Sequence, residues 1–483
     1  MEEKHWPSII QGGMGAGVSH WRLAKAVAQY GGMGVVSGTA TGLIFARRLQ
    51  LGDLGGHIRR AFDRFPVREV ADRVYERYFI PGGKMPERPF KAVPMFSIPP
   101  KKELLELAVV SNFSQVWLAK EGHGGMVAVN FLNDLEPPHL PSLYGAMLAG
   151  VDTVIVGAGI PDQFPGMIES FLEKGTASFR LKVRGRDSGY ELAFDSKDVM
   201  GDRRLPSERP DFLAIITLPL AGIAVCGRTP PYRRVDGFIV ERHIAGGHNA
   251  PPRGKEKKFN EFGEPEYGEK DIPNYDGVRK LGKPFWIAGG ATLKEANELG
   301  AVGIQVGSIF AVCEESGFAE SIKRQILGAA SRGILAVRTS ATASPTGYPF
   351  NMSQLEGVIS EEKESPNSGL ALYRERKRVC DIGELRHLYG KEDGGVGFRC
   401  PAERVSNFEG KGGKPEETEG AMCLCNGLLA AIGLAQTRVR GVRDRTSEAE
   451  PAIVTFGKKI PELVRRGNSY TAKEAMDYLR DQS

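Results

Sequence analysis

Long hydrophobic runs are missing from this chain of 483 residues. The longest apolar stretch, Phe212 to Gly227, falls short of the roughly 20 residues a membrane-spanning helix needs and is interrupted by Pro219. The opening segment, Met1 to Trp6, is charged and lacks the apolar centre of a secretory signal, so a cytoplasmic protein without membrane contact is expected. Excess charge is missing too: 64 Lys and Arg against 59 Asp and Glu leave +5, with the signs interspersed. Without a basic stripe, nucleic acid is excluded as a partner. Cysteine is scarce, six in all, and follows no secreted-framework spacing, which fits thiols in a reducing compartment. Histidine is scarce as well, with only eight in the chain.

What is present is an ordinary globular composition, 41% hydrophobic and 25% charged, with glycine in excess at 61 residues. The glycines cluster at the ends of short β-rich apolar runs, of which eight can be traced: Ser8 to Met14, Met33 to Gly38, Met126 to Phe131, Thr153 to Gly159, Phe212 to Pro219, Gly237 to Arg242, Pro284 to Gly290 and Gly303 to Phe310. Apolar runs without alternation fit strands covered on both faces, and helix-like segments between them predict a parallel sheet. Eight β-then-α units close a barrel, so the expected class is α/β, a (β/α)8 TIM barrel over residues 1–345. Among the helices, Ser19 to Tyr30 begins with a Ser cap and Thr292 to Leu299 with a Thr cap. Insertions are expected at about 40–125, at 176–210 as a charged hairpin, and at 249–272, lying over the active face or facing solvent. Residues 346–483 read as a mostly helical C-terminal appendage.

Candidate chemistry gathers at the carboxyl ends of the predicted strands. The first strand runs into Gln11, Gly12, Gly13 and Met14, where a glycine loop lets backbone approach a flat or anionic ligand, or simply makes a tight turn. The spacing is not that of a dinucleotide fingerprint. Ala288, Gly289 and Gly290 end the seventh strand and Gln305, Gly307 and Ser308 the eighth, the place where barrels build phosphate sites from backbone amides. The sixth strand leads to Gly246, Gly247 and His248, and two glycines before an imidazole clear space for a planar ligand. Asn130 places an amide on the same rim, for a ligand or for its own turn.

With these motifs in view the chain resembles the nitronate monooxygenase family, also called 2-nitropropane dioxygenases, and the related FabK-type enoyl-ACP reductases. The carriers are Ile-Ile-Gln-Gly-Gly-Met at 9–14, Gly-Gly-Met-Gly-Val-Val at 31–36, Val-Asn-Phe at 129–131, Ala-Gly-Gly-His at 245–248, Ala-Gly-Gly at 288–290 and Gln-Val-Gly-Ser-Ile-Phe at 305–310. The resemblance implies a flavoprotein oxidoreductase holding FMN. Gly13 and Met14 would lie along the isoalloxazine, Asn130 near it, Gly246 and Gly247 close by, and Gly289, Gly290, Gly307 and Ser308 on the phosphate. His248 would be the base or substrate ligand in oxidation of a nitronate by O2 to a carbonyl compound and nitrite. The alternative is NAD(P)H-dependent reduction of an enoyl thioester. A small-molecule substrate, and a possible homo-oligomer, complete the expectation. Relatives commonly carry an acidic residue four before the histidine, where this chain has Ile244, although Glu241 is present.

Four cysteines fall late, at Cys380, Cys400, Cys423 and Cys425. They lack the paired C-x2-C knuckles of a strong metal signature, so no metal ligand is assigned; a zinc or iron–sulfur site and buried free thiols both stay open.

Overall fold

The computed structural model describes residues 5–186, 189–227, 234–254, 256–359, 379–440 and 446–482. Part of the opening segment read above, residues 1–4, lies outside them. All eight predicted strands form: β1 (Ile9–Gln11), β2 (Gly34–Ser37), β3 (Val127–Leu132), β4 (Thr153–Gly157), β5 (Asp211–Ile216), β6 (Gly237–Glu241), β7 (Phe285–Ala288) and β8 (Gly303–Val306). They make one sheet in the order β1-β8-β7-β6-β5-β4-β3-β2, every pair parallel. A parallel bridge from Ile10 to Met33 joins its two edges, so the sheet closes into the (β/α)8 barrel.

The pleat explains why these runs looked uniformly apolar. Ile10, Val35, Ala128, Ile155, Leu213, Ile239 and Trp286 pack together inside the barrel, while neighbours on the same strands, such as Ile9, Val36, Val129, Val154 and Phe238, pack outward against helices. The floor is shut by Trp286, whose indole N–H donates to Pro7 O at 2.8 Å and whose ring meets Trp6 edge-on.

At the β1–β2 seam the backbone ladder is short, and a side chain extends it. The buried Gln11 amide accepts from Val35 N at 2.9 Å through Oε1 and donates through Nε2 to Ser19 Oγ at 2.6 Å and Gly12 O at 2.5 Å. Removing it strands the buried Val35 N–H, which costs about 1–3 kcal/mol. Gln11→Ala is therefore expected to lower unfolding free energy by about 1–3 kcal/mol in a denaturant titration.

The first helix spans Trp21–Gln29 and is capped by His20, whose Nδ1 accepts from Arg22 N at 3.0 Å, rather than by Ser19. Ser19 is engaged elsewhere: its Oγ donates to Gly12 O and accepts from Met14 N, clasping the glycine loop. Helix Leu293–Glu298 has the expected Thr292 cap.

The segment between β2 and β3 folds into helices, among them Lys102–Lys120, buried on nearly all sides. Its buried Glu106 is matched by Arg73 at 2.6 Å. Among the described residues no helix is long and apolar enough to cross a membrane. The 176–210 stretch contains an antiparallel hairpin, Thr176–Leu181 against Tyr190–Asp195. Beyond the barrel the chain forms the hairpin Ala336–Ser340 with Phe350–Gln354, further short strands, and helices including Leu424–Ala431 and Ala472–Arg480.

Candidate active site

A cavity of about 700 Å³ opens at the carboxyl ends of the barrel strands, within the range of small-molecule and cofactor sites. Every candidate residue but one lines it: Gly12, Gly13, Met14, Asn130, Gly246, Gly247, His248, Ala288, Gly289, Gly290, Gln305, Gly307 and Ser308. Gln11 does not. Its position on β1 turns the side chain into the barrel seam described above, where the amide is engaged by Val35 and Ser19.

His248 is presented by a short strand of its own. Gly247 and His248 pair with Asn351 and Phe350, at the edge of the Ala336–Ser340/Phe350–Gln354 hairpin. Asn351 reinforces the attachment by donating to Ala245 O at 2.5 Å. The His248 ring lies 4.8 Å from that of Phe350, and Nε2 stands 2.7 Å from Ser344 Oγ, which in turn meets Thr346 Oγ1 at 2.8 Å. Among the described residues Nδ1 forms no protein hydrogen bond. Burial with no acid beside it pushes the imidazole down to about 4, so it is neutral at physiological pH.

Of the three glutamates on the cavity wall, Glu241, Glu384 and Glu462, the first two are shifted by burial. Glu241 follows the inward-facing Ile239 by two positions on β6, so its side chain rises from the top layer of the barrel interior. Burial pushes it up to about 8. Glu384, from the C-terminal region, is pushed up to about 7 by burial. Neither was among the candidates read from the sequence. Strand parity could have found Glu241, whereas nothing local marks Glu384.

Polar groups also await a partner. Among the described residues Gln305 Nε2 and Asn249 Oδ1 are buried without a hydrogen bond, and both residues line the cavity. A buried amide left unpaired is costly, so a ligand with matching donors and acceptors would relieve both.

The glycines make room chiefly for the chain itself. A methyl on Gly13 would strike Asn130 Cβ at 2.2 Å, one on Gly246 would meet Gly457 N at 3.2 Å, and one on Gly290 would meet Lys459 Cδ at 2.9 Å. Gly247 alone of the pair before His248 faces open space. Residues far along the chain thus wall the cavity, including Leu428, Thr455, Phe456, Gly457 and Lys459.

The four late cysteines are unpaired and line one small cavity together with Asp381 and Glu403. Cys425 and Leu385 border both this cavity and the main one. Burial pushes the Cys380 thiol up to about 11 and raises Cys400 further. Among the described residues no three His, Cys, Asp or Glu side chains are grouped to hold a metal ion.

No protein-family model matches the chain, and no curated protein matches it. Solved structures similar to it include FabK from Thermotoga maritima, at 14% identity over 98% of this chain and 92% of that one, with a TM-score of 0.46. Nitroalkane oxidase from Streptomyces ansochromogenes matches at 14% identity over 99% and 95%, with a TM-score of 0.47. The enoyl reductase domain of MlnA from the macrolactin biosynthesis cluster of Bacillus amyloliquefaciens matches at 11% identity over 98% and 94%, also at 0.47.

Proposed function

We propose that this chain is an FMN-dependent oxidoreductase that oxidises nitronates, the anions of nitroalkanes, with dioxygen to a carbonyl compound and nitrite. The observation that carries the reading is a neutral imidazole on the wall of a glycine-lined barrel cavity, one nitrogen held by Ser344 and the other free of protein partners among the described residues. The residues present fit a flavin mononucleotide: the unpaired Gln305 amide and Asn130 would meet the polar edge of its ring, and the loops after β7 and β8 its phosphate. When bound, FMN would supply the electron acceptor that no side chain provides. His248 would hold the nitronate oxygens through a ring N–H or, where the neutral nitroalkane enters instead, take the proton from its α-carbon with the lone pair that a neutral ring keeps, which yields the nitronate. Ser344 holds one ring nitrogen, and the tilted Phe350 ring packs against the imidazole.

A second reading, NAD(P)H-dependent reduction of an enoyl thioester, is favoured by one observation: Glu241, pushed up to about 8, is a carboxyl that keeps its proton at neutrality beside the cavity and could donate the proton such a reduction needs. The two are separated by mixing the purified yellow protein with NADH under anaerobic conditions. For the oxygenase, NADH leaves the flavin absorbance unchanged in that mixture, while in a separate aerobic assay without NADH a nitronate drives oxygen uptake and nitrite release. Rapid bleaching by NADH without nitrite would reverse the choice, and a colourless protein unable to take up FMN would remove both.

A further inference from the structure

The C-terminal segment from Ala452 to Pro461 lies across the mouth of the barrel as a strap. It is anchored at one end by Ser353 N donating to Val454 O at 2.8 Å and by Ile359 N donating to Ala452 O at 2.8 Å. From there it crosses the loops after three barrel strands in turn. Gly247 N donates to Thr455 Oγ1 at 2.7 Å and Lys458 N to Ile244 O at 3.1 Å, both on the β6 loop. Gly457 N donates to Ser308 Oγ at 2.9 Å after β8, and Lys459 Nζ to Gly290 O at 2.7 Å after β7. Lys458 points away and pairs with Glu264 at 2.8 Å. The strap is therefore part of the cavity wall, and its route is fixed by hydrogen bonds at every loop it passes.

Two further observations meet at Lys459. It is the only Lys or Arg among the described residues that line the cavity, whose other ionisable lining groups include Glu241, Glu384 and Glu462. Beside it, the backbone N–H groups of Gly289, Gly290 and Gly307 donate to no protein acceptor among the described residues. Unspent amides that converge with one flexible ammonium make an anion site, because the amides set the geometry and the ammonium supplies the charge. We propose that Lys459 is the cation that binds the phosphate of FMN, delivered by the strap to the amides of Gly289, Gly290 and Gly307. The Nζ now resting on Gly290 O would swing to the phosphate with little movement, since its stem already lies against Gly290. The assignment rests on the flavin reading above and adds to it a residue outside every motif that carries the family resemblance.

The test compares the full-length protein with Lys459→Gln and Lys459→Arg, titrating each apoprotein with FMN and with riboflavin and following quenching of flavin fluorescence. Loss of a charge-assisted contact is expected to weaken FMN binding about 10- to 100-fold in Lys459→Gln. Riboflavin, which lacks the phosphate, should bind wild type and Lys459→Gln equally, and Lys459→Arg should keep most of the FMN affinity. An unchanged FMN affinity in Lys459→Gln, or an equal loss for FMN and riboflavin, overturns the assignment while leaving the flavin reading intact. A wild-type protein that binds neither flavin overturns both.

Discussion

His248→Ala is expected to lower turnover about 10²–10⁴-fold, the usual contribution of a placed proton-transfer group, while the protein keeps its flavin. The separation of the two effects follows from the geometry. The imidazole reaches the cavity from the edge of the Phe350–Gln354 hairpin, and its hydrogen bond and ring contact among the described residues are to Ser344 and Phe350, not to the loops after β7 and β8 that would take the phosphate, so its removal leaves them intact. The truncation also breaks no buried salt bridge, because the ring's one protein hydrogen bond among the described residues is to a hydroxyl, Ser344. The acid limb of the pH–rate profile supplies a second readout. The imidazole is held down to about 4 by burial, so the neutral form persists through the range where an ordinary histidine, near 6.5, has already taken up a proton. Activity that needs the neutral ring should therefore hold between pH 7 and 5 and fall only as the pH approaches about 4. Steady-state rates with a nitronate from pH 4 to 8, beside the flavin absorbance of the variant, check both points. A wild-type rate in the variant would remove His248 from the mechanism, and an acid limb centred near 6.5 would contradict the environment described for it.

The same linkage acts on the fold, with opposite signs for the two kinds of buried group. His139 is pushed down to about 4 in the native core, where it lies among Phe131, Phe164 and Phe179. Between that value and 6.5 the unfolded chain binds a proton that the native state does not, so stability from this group is present above pH 6.5 and lost as the pH falls toward 4. Glu241 is raised to about 8, so its native state holds a proton the unfolded chain has released, and its contribution is lost as the pH rises from about 4.5 toward 8.

How much of this could be read from the residues alone depends on whether the signal was local. The barrel strands were legible because each is a short β-rich run ended by glycine, and burial on both faces leaves the same apolar signature in all eight. The cavity wall was legible where it is built from strand ends, since a barrel places those ends together whatever lies between them. What was hidden is the chain's contact with itself. Gly246 and Gly290 look like ligand-approach glycines, but the atoms pressed against them belong to Phe456, Gly457 and Lys459, far along the sequence. Gln11 sits in a motif that suggests a ligand, yet its amide is consumed by Val35 and Ser19, and only the short ladder at the β1–β2 seam explains why an amide is needed there. Ser19 is a good cap residue by type but was claimed by the glycine loop, leaving the cap to His20. Glu384 reaches the cavity from the C-terminal region by a fold whose course no residue pattern announces.

Gly303→Ala is expected to abolish folding, although it adds a single methyl group. Gly303 opens β8, and its backbone passes so near β1 that a Cβ would stand 1.8 Å from Ser8 O and 2.5 Å from Ser8 C. Both atoms are backbone, so no side chain can rotate away. That same carbonyl accepts from Ile304 N at 2.8 Å at the start of the β1–β8 seam, where Ile9 faces Ile304 and Gln11 faces Val306. Relieving the clash requires the strands to part by more than about 1 Å, which opens the hydrogen bonds that close the barrel on this side. Ordinary overpacking costs about 1–3 kcal/mol because neighbours can shift. Here the neighbour is a strand fixed by its own ladder, so a loss above about 5 kcal/mol is expected, enough to exhaust a typical domain's stability. Gly166→Ala is the control. It lies in helix Phe164–Lys174, a Cβ there meets nothing within 4 Å, and the substitution should raise stability by up to about 1 kcal/mol. Soluble yield and thermal melting followed by circular dichroism compare the two, and a Gly303→Ala protein melting cooperatively near the wild-type temperature would show that β1 and β8 do not pack as closely as described.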